Sequence, residues 1–347
     1  MTTQVAFLFP GQGSQAIGMG ADVFEASKAA RAVFEAVDAA LGISLSTLCF
    51  NGPDETLRET INAQPAIVTV SLALLAAFQE ALSPQNSSWS SPLVPSFTAG
   101  HSVGEYAALV ASGALDLRSA ALLVRERGRL MHHEGTVCPG GMAAIIGMDA
   151  GPLQDICQEA TETTLAALTS DEANKTHHPG QGHVIVANFN APGQIVLSGE
   201  QQALNKAMTL AKERGAKRVI PLPVSGAFHS PVMQPAASGL AQMIATMPIH
   251  EASIPVIGNI HALPLSDVEA IQTELAQQIA SSVQWTRTIE YLANAGVTIF
   301  IEIGPGQALT GMVKRIIKGV TAVSISNMAD IAKTTALLRE KNLFHEV

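Results

Sequence analysis

The segment Gly100-His101-Ser102-Val103-Gly104 fits the pattern Gly-x-Ser-x-Gly, which can present a serine as a nucleophile. It follows the apolar run Val94 to Ala99 and precedes a helical pattern from Glu105 to Ala111, so Ser102 is expected on a strand-to-helix turn. The glycines permit a sharp turn, and the helix N-terminus offers amide donors to a developing oxyanion. Acyl transfer through a covalent serine ester is the implied chemistry, and a tight turn with a surface serine is the alternative.

A serine nucleophile needs a base, and His229 is the best placed of the ten histidines. It follows a strand predicted at Lys217 to Leu222 and precedes a helix that Ser230 and Pro231 would begin as N-cap and first residue. Open α/β sheets carry their sites at such strand ends. A histidine without catalytic role in this cap region is the alternative. His101 is expected to point elsewhere and to support the turn.

The group that would orient the histidine is harder to find. Hydrolases with this turn place an acid between serine and histidine, but the acids in that interval fall mainly on predicted helices or in a polar loop. Glu302, at the end of a later strand, is one candidate. A backbone carbonyl is another, and it would leave a Ser-His dyad.

A helix predicted from Asp116 to His132 carries an arginine on its apolar face. The stripe at helical spacing consists of Ala120, Val124, Arg127 and Met131. A guanidinium that points into the protein needs an anionic partner, because an unpaired buried charge costs several kcal/mol. An internal salt bridge and a ligand carboxylate both satisfy that need. In the second case the substrate is a carboxylate that bears an activated acyl group.

Gly11 to Ala16, after the first predicted strand, matches G-x-G-x-x-A and raises a dinucleotide-binding alternative. The match lacks the acidic residue expected at the end of a second strand about 20 residues later. A glycine loop beside a catalytic serine has another use, since its amides can supply the second oxyanion donor. We favour that interpretation.

Composition limits the class of protein. The chain has 347 residues, of which 47% are apolar and 14% charged, typical of an ordered α/β protein. A net charge of −9 argues against a general nucleic-acid or anionic-membrane binder. The three cysteines show no metal-binding spacing, so we predict no metal. The longest apolar stretch, Ala66 to Phe78, falls short of a bilayer span, and a soluble cytoplasmic protein is expected.

Strand and helix patterns alternate at both ends of the chain and predict a parallel sheet. They include helices near Ala21 to Leu41 and Asp267 to Ser282 and a strand at Val297 to Ile303. We therefore expect a discontinuous catalytic core of residues 1–137 and 223–347. Residues 138–222 show the order β-α-β-β-α-β and predict an inserted ferredoxin-like subdomain. Its polar loop, Ser170 to Gly182, contains His177 and His178 and is followed by His183, and we interpret these histidines as solvated loop residues.

Six motifs together resemble the malonyl-CoA:acyl carrier protein transacylases of the acyltransferase family, over nearly the whole chain. They are Phe9 to Gln15, Gly100 to Tyr106, Arg127-Gly128, Ala227 to Ser230, Gln284 to Thr286 and Glu302 to Gly306. The resemblance implies an α/β-hydrolase-like core with a ferredoxin-like subdomain, in agreement with the element order. It also implies transfer of a malonyl group from malonyl-CoA to the phosphopantetheine thiol of an acyl carrier protein, in fatty-acid biosynthesis.

The resemblance assigns roles residue by residue. Ser102 would be the nucleophile, His229 its base and Arg127 the ligand of the malonyl carboxylate. The amides of Gln12 and Val103 would form the oxyanion hole.

Two further positions carry implications from the same resemblance. Gln284 implies a backbone carbonyl that orients the histidine. The resemblance also favours malonyl over methylmalonyl as the acyl group, because family members that use malonyl units have a phenylalanine at the position of Phe228 and a small apolar residue at that of Val103.

The implied reaction needs no cofactor, and we expect a monomer whose partners are malonyl-CoA and the carrier protein, without nucleic acid or membrane. Because carrier proteins are usually acidic, a local basic surface is expected. Two clusters qualify: Lys314, Arg315 and Lys318, and Lys212, Arg214, Lys217 and Arg218. The alternatives are a polyketide acyltransferase that acts in trans, an ester or thioester hydrolase, and a non-catalytic carrier-binding scaffold.

Overall fold

The computed structural model describes residues 4–83, 93–169, 178–265 and 267–341. The strands in these ranges are β1 (Gln4–Phe9), β2 (Phe97–Gly100), β3 (Gly140–Ile146), β4 (Val184–Ala191), β5 (Gln194–Glu200), β6 (Arg218–Pro221), β7 (Val256–Ile257), β8 (Pro264–Leu265), β9 (Val297–Ile303) and β10 (Thr321–Ile325). The helices are α1 (Ala21–Ala26), α2 (Lys28–Leu41), α3 (Leu45–Asn51), α4 (Asp54–Arg58), α5 (Thr60–Ala81), α6 (Gly104–Ala111), α7 (Leu117–Val137), α8 (Ala150–Thr169), α9 (Gln201–Glu213), α10 (Gln234–Ile244), α11 (Val268–Gln277), α12 (Trp285–Asn294), α13 (Ala308–Ile316) and α14 (Met328–Glu340).

The larger sheet has the strand order β10-β9-β1-β2-β7-β8, and its pairs are parallel except for β7 with β8. Strands from both ends of the chain share it, as the alternating pattern predicted. Because parallel strands end at the same edge, the loops after β1, β2 and β9 leave the sheet side by side. Phe9 pairs with Gly100 there, which brings the first glycine loop next to the Ser102 turn.

β1 lies inside the sheet, between β9 and β2, and Val5 to Phe9 are all buried. Both faces of a parallel sheet are covered, so such a strand is apolar without alternation. Phe7 and Phe9 contribute to one core cluster, and Ala6 and Leu8 contribute to another on the opposite face. The strand that leads to the glycine loop is thereby fixed on both sides.

Helix α5 lies inside the protein, with α2, α6 and α7 packed against it. It is long and apolar enough to cross a membrane by length and composition, and its most apolar window is 89% buried within the protein. Its apolar character therefore matches the demands of a core helix. Gln64 in its second turn is fully buried and faces the site described below.

The smaller sheet has the order β4-β5-β3-β6 and is antiparallel. Its strands and its two helices, α8 and α9, follow one another in the order predicted for residues 138–222. One face packs on these helices through a core of its own that includes Ala143, Ile145 and Leu197. The other face turns Met142 and Val196 toward Ser102. Residues 170–177 of the predicted polar loop lie outside the described residues.

Two helices differ from the expectation. The helix predicted at 21–41 is broken at Ser27, whose hydroxyl accepts the Ala30 amide as an N-cap and donates to Glu80. The helix predicted at 267–282 ends at Gln277 and continues as the 3-10 turn Gln278–Ala280. That change of pitch directs backbone carbonyls at the candidate site.

Candidate active site

Ser102 lies on a strained turn between β2 and α6, as the glycine pattern predicted. Its φ of 53° is left-handed, which a residue other than glycine adopts only where its surroundings enforce it. A Cβ on Gly100 would lie 2.0 Å from the Gly104 carbonyl carbon, and one on Gly104 would lie 2.2 Å from the Phe9 oxygen. The two glycines are therefore required by the close approach of three backbone segments.

His229 meets this serine directly. The distance from Ser102 Oγ to His229 Nε2 is 2.6 Å. On the other side of the ring, Nδ1 lies 2.9 Å from the Gln278 carbonyl oxygen and 3.1 Å from that of Ser281. A ring that donates from Nδ1 to carbonyls keeps an acceptor lone pair on Nε2. The pair has the geometry of a nucleophile and its general base.

The prediction that a backbone carbonyl orients the histidine is confirmed, but its assignment to Gln284 is wrong. The carbonyls on His229 belong to Gln278 and Ser281, whereas Gln284 begins α12 and its amide donates to the Asn259 oxygen. The 3-10 turn after α11 is what aims the first two carbonyls at the ring. Glu302, the acidic candidate, instead accepts from two amides at the start of α13.

Burial and the nearby Arg127 charge lower the pKa of His229 to about 3. Desolvation is the larger cause, because it penalises the imidazolium and spares the neutral ring. The two carbonyls on Nδ1 oppose this shift only in part. His229 is therefore neutral near pH 7, which is the form a general base needs.

Arg127 is buried, with 1% of its surface exposed, and lies beside the dyad. Nη1 donates to Gln64 Oε1 at 2.6 Å, and Nη2 donates to Gln278 Oε1 at 2.8 Å and to Ser102 Oγ at 3.2 Å. The Tyr106 ring lies 5.9 Å from the guanidinium. The stripe prediction is confirmed, since all four of its members are buried.

The partner predicted for Arg127 was either an internal acid or a ligand. Across the described ranges no acid forms a salt bridge with this guanidinium, and its Nε has no hydrogen-bond partner. Its direct contacts are neutral amides and a hydroxyl. A buried cation held only by neutral groups retains its attraction for an anion.

Ser102, His229 and Arg127 open onto a cavity of about 140 Å³. Its other lining residues are Gln12, His101, Met131, Met142, Asn188, Asn190, Val196, Leu222, Val224 and Phe228. Pockets for drug-sized ligands measure about 300–1,000 Å³, so this one suits the reacting end of a larger substrate. A larger cleft, of about 770 Å³, lies between α13, β10 and α14 and contains neither member of the dyad.

Gln12 and Val103, whose amides are predicted to be the oxyanion donors, lie in the loop after β1 and at the start of α6. Val103 is the N-cap of α6, and Gln12 lines the cavity and donates its side chain to Thr60. The Ser102 amide is already bound to Asn259 Oδ1, at 2.7 Å. Among the described contacts, neither the Gln12 nor the Val103 amide donates to a protein acceptor.

The glycine loop does not have the architecture of a dinucleotide site. In such sites the loop opens directly into a helix whose N-terminus receives the pyrophosphate. Here α1 begins only at Ala21, and a Cβ on Gly11 would lie 2.6 Å from the His101 carbonyl oxygen. The loop is packed against the serine turn.

Neighbouring residues hold this arrangement in place. His101 does not contact the dyad in the described hydrogen bonds; its Nε2 lies 2.8 Å from Asn190 Oδ1 and its ring packs against Trp285. The sequence prediction missed Asn259, which accepts from the Ser102 amide and donates to the Gly100 oxygen. A polar residue just after a strand at this edge was the available signal. Gln64 and Gln278 were also missed, since a buried glutamine resembles a surface one in sequence.

The other candidate groups lie elsewhere. No group of three His, Cys, Asp or Glu residues that could hold a metal occurs in the described part of the chain. The prediction of a solvated loop histidine is wrong for His178, whose side chain is only 14% exposed and whose Nε2 lies 3.1 Å from the Glu134 carboxylate. Burial raises the pKa of the thiols of Cys49, Cys138 and Cys157, which makes them poor nucleophiles.

A strained serine turn, a neutral histidine on its hydroxyl and a buried cation define a serine enzyme of acyl chemistry on an α/β sheet. Comparison with known proteins agrees: residues 6–343 match the acyl transferase domain family, and the chain belongs to this family. A malonyl CoA-acyl carrier protein transacylase of Bacillus subtilis (strain 168) is 42% identical over 341 residues, 98% of this chain and 99% of the relative. The predicted resemblance is confirmed.

Solved structures give the same result. An acyl-carrier-protein S-malonyltransferase from Bartonella henselae is 39% identical with a TM-score of 0.86, and the match covers 97% of this chain and 100% of that one. A malonyl-transacylase in complex with its type II PKS acyl-carrier protein is 34% identical with a TM-score of 0.86, and the match covers 96% of this chain and 100% of that one.

Proposed function

We propose that this protein transfers a malonyl group from malonyl-CoA to the phosphopantetheine thiol of an acyl carrier protein, through an ester on Ser102. The observation that carries the proposal is Arg127, a buried cation 3.2 Å from the nucleophile and without an acid in direct contact. A guanidinium at that distance can bind the free carboxylate of an acyl group whose thioester faces the serine. The names of the relatives support the same substrates.

In the first half-reaction, His229 Nε2 takes the Ser102 proton while Oγ attacks the thioester carbonyl. The Gln12 and Val103 amides stabilise the oxyanion, together with the N-terminus of α6. The C–S bond then breaks, the His229 proton passes to the leaving sulfur, and CoA departs as the thiol.

The second half-reaction reverses these steps with another thiol. The carrier's phosphopantetheine thiol gives its proton to His229 and attacks the ester carbonyl. Ser102 leaves as the alkoxide and regains the proton, so the enzyme returns to its starting state. His229 needs no acid for this cycle, because two backbone carbonyls hold its tautomer.

Several finer features belong to the same proposal. The mechanism uses no cofactor or metal, and we propose a cytoplasmic monomer that binds neither nucleic acid nor membrane. We also propose an α/β-hydrolase-like core of residues 1–137 and 223–347 with a ferredoxin-like subdomain at 138–222. The order of elements and the separate apolar core of the smaller sheet support this division.

For the carrier we propose docking at the cluster of Lys314, Arg315 and Lys318. Arg315 donates to Gln194 at the start of β5, so this cluster lies where α13 meets the smaller sheet. In the other basic cluster Arg214 is paired with Glu159, which reduces its free positive charge. Lys314→Glu should raise KM for the carrier and spare KM for malonyl-CoA, with Lys212→Glu as the control. Equal changes in both constants would exclude docking there.

Intact-mass measurement after mixing with malonyl-CoA tests the proposed function. We expect a malonyl adduct on the wild type and none on Ser102→Ala. Absence of an adduct on the wild type would support a non-catalytic carrier-binding scaffold instead. An adduct that water removes as fast as carrier protein does would identify a hydrolase.

A second candidate function differs only in the acyl carrier protein that accepts the malonyl group. The likeness to a transacylase bound to a type II PKS carrier favours a protein that serves a polyketide pathway in trans. Discharge rates of the isolated malonyl-enzyme with fatty-acid and polyketide carrier proteins from the same organism separate the two.

A further inference from the structure

Two carboxyl groups are buried together behind the serine turn. Glu105, in the first turn of α6, is fully buried, and Glu274 on α11 is 4% exposed. The two side chains are neighbours, since the consecutive amides of Asn259 and Ile260 donate to Glu105 and to Glu274 respectively. Burial raises the pKa of both carboxyl groups. Two carboxyl groups in contact cannot both ionise, so the pair holds one proton.

The hydrogen bonds show which carboxyl carries the charge. Glu105 Oε1 accepts the Asn259 amide at 3.0 Å, and its Oε2 accepts from Gln278 Nε2. Both of its oxygens thus face protein donors. Glu274 Oε1 accepts one amide, that of Ile260, at 2.8 Å. The shared proton therefore belongs to Glu274, which donates it to the Glu105 carboxylate.

The partners of this pair touch every reacting group. Asn259 binds the Ser102 amide and the Gly100 oxygen through its side chain. The Gln278 carbonyl accepts a hydrogen bond from His229 Nδ1, its Oε1 accepts one from Arg127 Nη2, and its Nε2 also donates to the Ser102 carbonyl oxygen. The Glu105 carboxylate fixes the orientation of this amide, since a rotated Gln278 would turn its oxygen toward the carboxylate and its NH₂ toward the guanidinium.

Charged and titratable groups lie near the two carboxyls both on the side of the active-site cavity and on the opposite side. Toward the cavity the nearest is Arg127, beyond Gln278. On the far side Glu274 lines a cleft of about 450 Å³ with His261, Asp267 and Glu269. The positive form of His261 favours ionisation of Glu274. This cleft gives the pair a route for proton exchange that does not pass through the active site.

We propose that Glu105 and Glu274 form a one-proton carboxyl pair that positions Ser102 and His229 through Asn259 and Gln278, and that loss of the shared proton disables the site. Neither carboxyl touches substrate or a reacting atom, so both are positioning residues. The inference rests on the proposed acyl transfer at Ser102. When the pair loses its proton, two adjacent buried carboxylates repel each other and pull on both amide partners.

Glutamine variants test the pair, because the two positions should respond differently. The Glu274→Gln amide donates to Glu105 at every pH, so the alkaline decline of kcat/KM should move to higher pH or vanish. The Glu105→Gln side chain has one acceptor oxygen where the carboxylate has two, so Asn259 or Gln278 loses a partner. We expect kcat to fall about 5- to 150-fold, the cost of one unpaired buried donor, with little change in KM.

Unfolding equilibria give a second measurement. A raised folded pKa means that stability is lost as pH rises from the unfolded value of about 4.5 through the folded one. The wild type should lose an extra factor of about ten in its folding equilibrium constant per pH unit in that window, relative to Glu274→Gln. Glu302→Gln is the matched control, since Glu302 is a buried carboxyl with a raised pKa that contacts neither Asn259 nor Gln278. It should leave the alkaline decline of kcat/KM unchanged.

Malonyl-enzyme formation by the wild type is measured first, so that failure of the proposed function is seen separately. If the ester forms, an alkaline decline identical in the wild type and Glu274→Gln would overturn the inference. Equal loss of kcat in Glu105→Gln and Glu274→Gln would also overturn it, because a pair that only fills space has no such asymmetry. A shift in Glu274→Gln alone, with the kcat loss in Glu105→Gln alone, supports it.

Discussion

Replacement of Arg127 by alanine should convert a malonyl-selective enzyme into one that no longer distinguishes malonyl from acetyl. Three of the five guanidinium donors are used in the described contacts, which leaves donors for a carboxylate. Two charge-assisted hydrogen bonds at about 1.5–3 kcal/mol each amount to about 3–6 kcal/mol. At 1.36 kcal/mol per tenfold, kcat/KM for malonyl-CoA should fall by about 10²- to 10⁴-fold.

The assay follows CoA release for malonyl-CoA and acetyl-CoA with the same enzyme samples. Removal of Arg127 also takes a donor from the Oε1 atoms of Gln64 and Gln278, and any damage from that source lowers the rates for both substrates alike. The ratio of the two kcat/KM values therefore isolates the carboxylate contact. Arg127→Lys keeps the positive charge but loses the two-pronged guanidinium contact with a carboxylate, so its ratio of kcat/KM values should lie between those of the wild type and Arg127→Ala. Equal losses for both substrates would refute the role of Arg127.

Four further results are expected. Because His229 stays neutral down to a pKa of about 3, the acid decline of kcat/KM should lie well below pH 6.5; a midpoint near 6.5 would contradict the burial argument. The same depressed pKa makes the His229 contribution to stability fall by about 1.4 kcal/mol per pH unit as pH drops from about 6.5 toward 3, which urea unfolding measures as the difference between the wild type and His229→Gln. Asn259→Leu leaves the Ser102 amide and the Gly100 oxygen unpaired, and should cost about 2–6 kcal/mol of unfolding free energy. Phe228→Ala opens the cavity wall and should raise kcat/KM for methylmalonyl-CoA relative to malonyl-CoA by about tenfold or more; an unchanged ratio would exclude Phe228 from selectivity.

The sequence predicted best where residue types determine the backbone. β9 was predicted at its observed bounds, Val297–Ile303, because an apolar run ends there between Gly296 and Gly304, both with positive φ. The Ser102 turn was predicted for the same reason, since only glycine fits its two tight contacts. Arg127 was found because one polar residue in an apolar stripe is a strong signal.

The functional groups that the sequence did not predict are ones whose role cannot be recognised from residue type. The oxygen that orients His229 is a backbone carbonyl, which every residue has, so its assignment to Gln284 was wrong by six positions. Only the tertiary path of the 3-10 turn shows that Gln278 supplies it. Asn259 was missed because its role is to bind two backbone groups of the serine turn, a contact that residue type does not reveal.

One cation links substrate choice to the strength of the base. The positive charge of Arg127 lowers the pKa of His229, second only to burial, so the free site holds a weak base. A substrate carboxylate bound to Arg127 offsets that charge, and His229 becomes a stronger base at the moment the malonyl group is in place. An uncharged acyl group meets the cation unneutralised and the base still weak. Arg127 therefore favours malonyl twice, once through binding and once through the proton transfer that activates Ser102, and its contribution to specificity includes kcat as well as KM.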